Sequence, residues 1–387
     1  MNRAWSLLTA VLTLGVGVVL SACSEDAGPL DPPADAFFQQ GRAPLGAGAV
    51  YLMSNAAGPN EVLVYQRSSD GSLTAKSPVA TGGDGTGTGL GNQAALALSN
   101  DGRWLLVVNP GSDDVSSFRV RPRGLELRDV AGSGGDMPVS VALHGDLVYV
   151  LNAGAPINVS GFTLQPDGSL TPIPGSARPL SEASTGPAQV GFSPRGDVLV
   201  VTEKATNKIT TFAVDGDGLL SPPNSQASAG QTPFGFEFNS SGVLIVSEAF
   251  GGAADASTVS SYGVGSSGQL TWIDPAVPTT ETAACWIAVS GNGRYAYSTN
   301  GGSGSVSGLV VGHDGTLELL DPDGRTGVTG PGSTPLDAAF SNGSRYLYVL
   351  SSGIQEISIF GVHADGGLTF IEGMPGLPAT ANGMVAR

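Results

Sequence analysis

Residues Pro335–Phe360 read P-L-D-A-A-F-S-N-G-S-R-Y-L-Y-V-L-S-S-G-I-Q-E-I-S-I-F, three apolar segments separated by turn residues. The first segment leads into Ser341-Asn342-Gly343, and the second ends in a small polar residue and a glycine. The third alternates apolar and polar residues over Ile357-Ser358-Ile359-Phe360. Short apolar runs bounded by Gly, Ser and Asn are typical of β-strands joined by tight turns. This stretch therefore predicts three consecutive antiparallel strands.

The same order of segments recurs along the chain. Further copies lie at Gln93–Phe118, Pro138–Phe162, Pro187–Phe212, Pro233–Tyr262 and Ala284–Leu309. Each copy continues through a glycine-containing turn into a fourth apolar segment, as in Asp167-Gly168-Ser169-Leu170. Four short strands per unit at a spacing of about 50 residues are typical of a β-propeller blade.

The two ends of the repeat region complement each other. Ala49–Ser54 matches a second strand, with Glu61–Tyr65 and Ser72–Thr74 as third and fourth, so the first unit lacks its own first strand. Pro378–Ala386 matches a first strand. We therefore predict an all-β fold over residues 49–387, a seven-bladed β-propeller of four-stranded antiparallel blades whose C-terminal strand completes the first blade. A six-bladed ring with a stray terminal strand is the alternative, but it would expose apolar strand edges.

The composition supports one large all-β domain and argues against some partners. The 58 Gly and 26 Pro residues fall between apolar runs at regular intervals, as turn residues do. Helical periodicity is missing after residue 23, so we expect almost no helix. The formal net charge is −16, and the basic residues form no obvious cluster. Binding of nucleic acid or anionic lipid is therefore not expected, because phosphate recognition needs a positive field. We expect a monomer.

The N-terminus has the order of a targeting segment. Arg3 precedes an apolar run over Ala4–Leu20, which ends in Leu20-Ser21-Ala22-Cys23. This order predicts a signal peptide over residues 1–22. Its ending resembles a bacterial lipobox, in which the cysteine is acylated and becomes the first mature residue. A plain signal peptide and a short membrane anchor are the alternatives.

Residues 23–48 are predicted to be the lipidated Cys23 followed by a disordered tether. The segment is polar and includes Pro29-Leu30-Asp31-Pro32-Pro33, a composition that does not support a packed core. We therefore expect a protein of the bacterial cell envelope, outside the cytoplasm and anchored to a membrane only through lipid. The sequence leaves open whether it lies in the periplasm or on the cell surface.

Strand alternation predicts which side chains face the central channel. Four residues before the turn that ends each first strand stand Ala95, Ser140, Gln189, Gly235, Trp286, Asp337 and, by extension, Asn382. The second strands end at the same rim with Asn55, Asn109, Asn152, Glu203, Glu248, Asn300 and Ser352. We therefore predict one polar, acidic channel mouth that binds a small molecule or a protein partner.

Three segments carry a family resemblance. They are Asn109-Pro110-Gly111-Ser112-Asp113-Asp114-Val115, then Gly186-Pro187-Ala188-Gln189 with Ser193-Pro194-Arg195-Gly196, and Val201-Thr202-Glu203-Lys204. They resemble the D-L-G-x-D-x-V, G-P-R-H with S-P-D-G, and Asn-Glu motifs of the bacterial lactonase-family propellers. This family includes 6-phosphogluconolactonases and 3-carboxymuconate lactonising enzymes. The similarity covers about residues 49–387 and implies the same seven-bladed ring.

The resemblance does not extend to the family's charged catalytic groups. The Arg and His of G-P-R-H fall on Ala188 and Gln189, and a late Asn-Arg-Gly falls on Asn300-Gly301-Gly302. Only the glutamate is retained, as Glu203. Lys204 follows Glu203 directly, so strand alternation predicts that it points away from the axis.

Two functions follow from these residues. The first is a binding module whose mouth contains Gln189, Glu248, Trp286, Asp337, Asn382, Asn109 and Asp113. The second is a divergent lactonase or cyclase with Glu203 as the general base. Trp286 either fills the channel or stacks against a ligand.

No cofactor is expected. Glu203, Glu248 and Asp337 could gather a calcium ion, although a hydrated acidic mouth is the better explanation for them. The three histidines lie in turns or outer strands and predict no zinc site. Cys285 is expected to be a small buried residue rather than a nucleophile.

Overall fold

The computed structural model describes residues 48–387, which form seven antiparallel sheets. The predicted signal peptide, Cys23 and the tether up to residue 47 lie outside the described residues, while Gly48 already belongs to the first strand. Within residues 48–387 the only helical segments are the 3₁₀ turns Phe250–Gly252 and Ser352–Ile354. No helix in this range is long and apolar enough to span a membrane.

Each sheet is one blade, and its strands follow one another from the innermost strand outward. Blade 1 contains β1 (Gly48–Met53), β2 (Gly58–Arg67), β3 (Leu73–Ala75) and β4 (Val79–Gly85), and its innermost strand is β31 (Asn382–Ala386). Blade 2 contains β5 (Leu96–Leu98), β6 (Trp104–Asn109), β7 (Asp114–Arg121) and β8 (Gly124–Gly132). Blade 3 contains β9 (Pro138–His144), β10 (Leu147–Asn152), β11 (Asn158–Leu164), β12 (Leu170–Pro172) and β13 (Arg178–Pro179).

The remaining four blades repeat this plan. Blade 4 contains β14 (Pro187–Phe192), β15 (Val198–Glu203), β16 (Lys208–Ala213) and β17 (Asn224–Ala227). Blade 5 contains β18 (Pro233–Phe238), β19 (Val243–Glu248), β20 (Thr258–Val264) and β21 (Leu270–Pro278). Blade 6 contains β22 (Ala284–Val289), β23 (Tyr295–Asn300), β24 (Ser305–Val311), β25 (Leu317–Leu319) and β26 (Gly327–Val328). Blade 7 contains β27 (Pro335–Phe340), β28 (Tyr346–Ser351), β29 (Glu356–Val362) and β30 (Leu368–Pro375).

The C-terminal strand closes the ring. In β31, Met384 pairs with Leu52 and Val385 with Tyr51, in antiparallel register with β1. The N–H of Arg387 also donates to the carbonyl of Ala49 at 2.9 Å. Strand β31 contacts the innermost strands of both blade 2 and blade 7. The predicted seven-bladed ring and its closure are therefore confirmed.

Hydroxyl side chains join neighbouring blades at the outer layer. A hydroxyl on the second or third strand donates to the carbonyl of the glycine in the last turn of the next blade. These pairs are Ser117 with Gly168, Tyr149 with Gly218, Thr211 with Gly268, Ser261 with Gly315, Tyr297 with Gly366 and Tyr348 with Gly71. The glycine in each turn has a positive φ, which explains why this residue recurs in the repeat.

Removing residues 382–387 should unfold blade 1 and weaken the whole ring. We expect a loss of more than about 2 kcal/mol in the free energy of unfolding, because Met384 alone is a buried core side chain. Urea denaturation followed by circular dichroism measures the loss. A synthetic peptide of residues 378–387 should restore the stability, while the same peptide with Met384→Asp should not. An unchanged urea midpoint in the truncated protein would contradict the closure.

Candidate functional site

A β-bulge interrupts the innermost strand near its start in every blade except the second. In blade 4 the pairing passes from Pro187 to Gln189, which leaves Ala188 without a partner residue. In blade 6 it passes from Ala284 to Trp286, which leaves Cys285 without one. One extra residue turns the preceding side chains to the opposite face of the sheet. Counting alternate residues back from the turn that ends each first strand therefore gives the wrong face for side chains that precede the bulge.

Residues in or beside these bulges meet at the axis. Ala188, Phe234 and Trp286 belong to one buried cluster, against which Cys285 and Leu336 pack. The rings of Phe234 and Trp286 have centroids 5.0 Å apart. Because these residues come from blades 4, 5, 6 and 7, the cluster lies where the innermost strands converge.

The segment that leads into blade 2 fills the channel beside this cluster. Gln93 donates its backbone N–H to Ala188 O at 3.0 Å and its Nε2 to Ile287 O at 2.9 Å. Trp286 Nε1 donates to Asn92 O at 2.8 Å. Blade 2 is adjacent to neither blade 4 nor blade 6, so these bonds cross the axis. Trp286 is 2% exposed, so its ring fills the channel and has no open face on which a ligand could stack.

Lys204 places a cation over the cluster. Its Nζ lies 4.7 Å from the centroid of the Phe234 ring and donates to Gly91 O. Gly91 precedes blade 2 and Phe234 belongs to blade 5, so the ammonium lies at the axis. Our expectation that Lys204 points away from the axis was wrong. It is Glu203, the preceding residue, that points away.

The position of Lys204 is occupied by small uncharged residues in the other blades. In five blades the residue after the second strand donates its N–H to a residue of positive φ just before the first strand. The pairs are Ala153 with Met137, Lys204 with Gly186, Ala249 with Thr232, Gly301 with Ala283 and Ser352 with Thr334. We call the group formed by Lys204 and the cluster residues Ala188, Phe234, Cys285, Trp286 and Leu336 the Lys204 mouth.

The electrostatics of the Lys204 mouth are those of a half-buried cation. None of the ion pairs within residues 48–387 involves Lys204. Burial lowers the pKa of Lys204 to about 8. Burial also raises the pKa of the neighbouring Cys285 thiol to about 12, so this thiol is protonated at neutral pH.

Glu203 is enclosed inside blade 4. Its Oε1 accepts hydrogen bonds from the backbone N–H of Ser181 at 3.2 Å and from Thr210 Oγ1 at 2.5 Å. Its Oε2 accepts from Thr206 Oγ1 at 2.8 Å and from Ser181 Oγ. The side chain is 0% exposed. These four bonds occupy the acceptor sites of the carboxylate, so a substrate at the axis has no access to them.

Glu248 has an equivalent environment in blade 5. Its carboxylate accepts from the N–H of Gly230 at 3.0 Å, from Ser260 Oγ at 2.7 Å and from the hydroxyl of Thr258. Burial raises the pKa of Glu248. The expectation that Glu203 and Glu248 line a hydrated acidic mouth was therefore wrong, since both lie inside their blades.

Asn109 and Asp113 belong to the junctions between blades. Asn109 is fully buried, donates to Ser116 Oγ at 2.7 Å and accepts from Asn60 Nδ2 of blade 1 at 2.9 Å. Asp113 is exposed, and its Oδ1 accepts the N–H of Met137, which precedes blade 3, at 2.6 Å. Neither residue is part of the Lys204 mouth.

Gln189 and Asp337 connect neighbouring innermost strands. Gln189 Nε2 donates to Phe236 O at 2.9 Å, and its Oε1 accepts the N–H of Phe236 at 2.7 Å. Asp337 accepts the N–H groups of Ala338 at 2.8 Å and of Met384, in the closing strand, at 3.1 Å. Both side chains are buried and make their polar contacts with backbone groups.

The three carboxylates considered for calcium do not converge. Glu203 lies inside blade 4, Glu248 inside blade 5, and Asp337 at the junction of blades 7 and 1. Asn382 is 3% exposed, and its Oδ1 has no hydrogen-bond partner among the described residues. Residues 48–387 contain no group of three or more His, Cys, Asp or Glu side chains placed to hold a metal ion.

Glu237 is a channel residue that the sequence reasoning missed. It lines a cavity of about 490 Å³ at the opposite end of the channel, beside the turn at Asn239. Its Oε2 accepts the N–H of Val289 at 2.6 Å. The Glu237 side chain is exposed to this cavity, and desolvation inside the channel, with a smaller contribution from Asp337, raises its pKa to about 7. The sequence could have indicated Glu237, because it lies two residues after Gly235, which was predicted to face the channel, and alternate residues of a strand share a face.

Comparison with known proteins identifies the family. A family profile described as "Lactonase, 7-bladed beta-propeller" matches residues 48–178 and 159–249, which together exceed half of the chain. The chain belongs to this lactonase family of seven-bladed propellers. No curated protein matches it. The family assignment agrees with the motifs quoted from blades 2 and 4.

Solved structures share the fold at low sequence identity. A candidate 6-phosphogluconolactonase from Bacteroides fragilis is 20% identical, with a TM-score of 0.67 over 89% of this chain and 99% of that one. A periplasmic gluconolactonase from Pseudomonas aeruginosa is 18% identical, with a TM-score of 0.66 over 87% and 99%. A protein from Lactobacillus plantarum is 16% identical, with a TM-score of 0.70 over 88% and 99%. At these identities the similarity establishes the fold alone.

The buried Asp337 predicts a pH-dependent stability. Burial raises its pKa from the usual 3.8 to about 7, so the folded state binds a proton more tightly than the unfolded state. The stability that this group contributes is complete below about pH 4 and is lost as the pH rises through about 7. Relative to Asp337→Asn, the wild type should lose about 2–4 kcal/mol over this range. Urea denaturation at several pH values measures it. The exposed Asp365→Asn is the control, and parallel profiles for wild type and Asp337→Asn would contradict the prediction.

Proposed function

We propose that this lactonase-family propeller binds a small carboxylate-bearing molecule at the Lys204 mouth. The observation that carries the proposal is a half-buried ammonium at the axis that forms no ion pair within residues 48–387. A buried cation is costly unless an anion or several acceptors compensate its desolvation. Gly91 O is the one acceptor that Lys204 Nζ bonds among the described residues, and an ammonium has three donors. An oxyanion would use the remaining donors.

The surroundings of Lys204 favour a small ligand with a carbon skeleton. The Phe234 ring lies beneath the ammonium, and the partly exposed Leu336 packs against the same apolar cluster. A ligand with one anionic end and a body of several carbon atoms would contact both parts. The Pseudomonas aeruginosa relative is described as a gluconolactonase, and opening of a sugar lactone gives a hydroxy acid of this kind. We therefore take D-gluconate as the first probe.

A divergent lactonase or muconate-type cyclase that uses Glu203 as the general base is the alternative function. Family membership favours it, since the family is described as lactonases. The geometry favours binding without turnover, because Glu203 is enclosed in blade 4 and the Cys285 thiol is protonated at neutral pH. Lactone opening needs a proton acceptor within reach of the substrate, and neither group supplies one.

We also propose that the protein is lipid-anchored in the bacterial cell envelope, outside the cytoplasm, with Cys23 as the lipidated residue. The lipobox-like Leu20-Ser21-Ala22-Cys23 supports this, and a relative from Pseudomonas aeruginosa is described as periplasmic. The anchor would place the Lys204 mouth where it meets small molecules of the envelope. The chain would touch the membrane only through its lipid.

Lys204→Met should weaken D-gluconate binding by about 10- to 100-fold, because a hydrogen bond to a charged group contributes about 1.5–3 kcal/mol. Binding should also weaken as the pH rises through about 8, because the ammonium loses its proton there. Isothermal titration calorimetry at pH 7 and pH 9.5 measures both effects. D-glucitol, which has the same skeleton without the carboxylate, should not bind measurably.

Lys76→Met is the matched control for this experiment, because Lys76 is exposed. Equal affinities of the Lys204→Met and Lys76→Met proteins for gluconate would contradict the proposal. Hydrolysis of a panel of sugar and muconate lactones is measured on the same preparations. Turnover that Glu203→Gln abolishes would establish the alternative function instead.

Cys23→Ser should release the protein from the membrane fraction of expressing bacteria, because the acyl chains could no longer be attached. Cell fractionation followed by immunoblotting measures the distribution. Cys285→Ser, which changes the chain's other cysteine, should leave the protein in the membrane fraction. Retention of Cys23→Ser in that fraction after a carbonate wash would argue for a membrane anchor of another kind.

A further inference from the structure

Blade 2 concentrates arginines in a protein of formal net charge −16. Five of the chain's 17 basic residues fall between residues 103 and 128: Arg103, Arg119, Arg121, Arg123 and Arg128. Our reading of the sequence as lacking a basic cluster was therefore wrong. The fold brings four of the five, all except Arg123, to one groove between blades 2 and 3.

This arginine groove has a volume of about 730 Å³. Its blade 2 wall contains Trp104 and the four arginines, and its blade 3 wall contains Asp146 and residues 163–167. It also includes the turn at Ser99, which joins the first and second strands of blade 2. The second strand of each blade ends on the side of the ring where the Lys204 mouth lies, so this turn, at the start of the second strand, lies at the opposite end of the blade. The groove is separate from the axial site.

Arg119 is the arginine in the groove that a ligand can use. Its guanidinium Cζ lies 4.7 Å above the ring of Trp104, its direct partner across strands β6 and β7. None of the ion pairs within residues 48–387 involves Arg119. Stacking uses the face of the guanidinium and leaves its in-plane N–H donors free, which is the geometry that recognises a carboxylate or phosphate.

Arg121 and Arg128 add positive charge on the wall that carries Arg119, while Asp146 and Asp167 stand on the opposite wall. Arg121 and Arg128 share one carboxylate, Glu126, at 2.9 and 2.7 Å, so the three side chains together carry a net positive charge. Arg103 pairs with Asp101.

The blade 3 wall supplies acceptors rather than a second ion pair. Asp167 uses its carboxylate to accept the N–H and hydroxyl of Ser169, at 3.0 and 2.8 Å. Asp146 and Gln165 stand on the same wall. Side chains of this kind hydrogen-bond the hydroxyl groups of a sugar-like ligand.

We propose that the arginine groove is a second binding site, for a small polyhydroxylated molecule that carries an oxyanion. Arg119 would hold the oxyanion through its in-plane donors, with Arg121 and Arg128 adding positive potential. Asp146 and Gln165 would accept hydrogen bonds from the hydroxyl groups. The volume of the groove exceeds what a lone phosphate ion needs and suits a molecule of monosaccharide size.

The test uses D-glucose 6-phosphate and D-glucuronate as probes, with inorganic phosphate and D-glucose as the separate halves of the ligand. Isothermal titration calorimetry on the folded propeller should detect both charged sugars and give weaker binding of phosphate and of glucose. Arg119→Gln should weaken the charged sugars at least about tenfold, and Arg119→Lys should recover only part of the affinity. Because the Lys204 mouth is also proposed to bind carboxylates, the D-glucuronate titrations are repeated in the Lys204→Met background, where the groove is the one remaining proposed site.

Arg195→Gln is the control. Arg195 lies in the turn at Ser193 of blade 4, which corresponds to the turn at Ser99 of blade 2, and its side chain is 72% exposed and pairs with Asp197. Equal losses in Arg119→Gln and Arg195→Gln would overturn the proposal, as would glucose binding as tightly as glucose 6-phosphate. So would wild-type affinities weaker than about 1 mM for both charged sugars. A far-ultraviolet circular dichroism spectrum equal to that of the wild type establishes that each variant is folded.

Discussion

The pairing of β31 with β1 is the constraint on which the other features depend. It makes a chain of consecutive blades into a ring, so that seven innermost strands converge on one axis. Only after closure can residues far apart in sequence meet across the channel, as Gln93 and Ile287 do. Asp337 reinforces the same junction, because its carboxylate accepts the N–H of Met384 in the closing strand. The edge pairing thus satisfies backbone groups that an open ring would expose, and it also creates the axial site.

The sequence was sufficient to predict the blades and the closure, because both depend on local patterns. Turn residues and short apolar runs recur at a nearly constant interval, and each copy carries the same information. The same reasoning failed at the channel mouth. Alternation gives the facing of a side chain only while the strand is regular, and a bulge at Ala188 or Cys285 reverses it. Lys204 was misplaced for a different reason. Strand β15 pairs regularly up to Glu203, but Glu203 was taken to face the axis, whereas it lies inside the blade and Lys204 reaches the axis.

Glu203 shows why a retained motif residue does not carry its role with it. The second strand ends in Asn109, Asn152 or Asn300 in three other blades, and each amide donates to serine hydroxyls on the neighbouring strand. In blade 4 a carboxylate takes the same position and accepts from Ser181, Thr206 and Thr210. A carboxylate accepts hydrogen bonds from the hydroxyls, whereas the asparagine amides donate to them. In both cases the end of the second strand is bonded to neighbouring segments of its blade. The donors lie on other segments, so the glutamate itself gave no sign that it would be enclosed.

The two cationic sites have to act within a strongly negative protein. At a net charge of −16 the long-range field repels anions, and the repulsion grows with the number of charges that a ligand carries. A short-range contact with Lys204 or Arg119 is screened less than this field, because the field acts over distances beyond the Debye length of about 8–10 Å. A ligand with one or two charges can therefore gain more from the nearest cation than it loses to the rest of the surface. A polyanion would meet many more carboxylates than cations, so we expect both proposed sites to favour small anionic molecules over nucleic acids or anionic membranes.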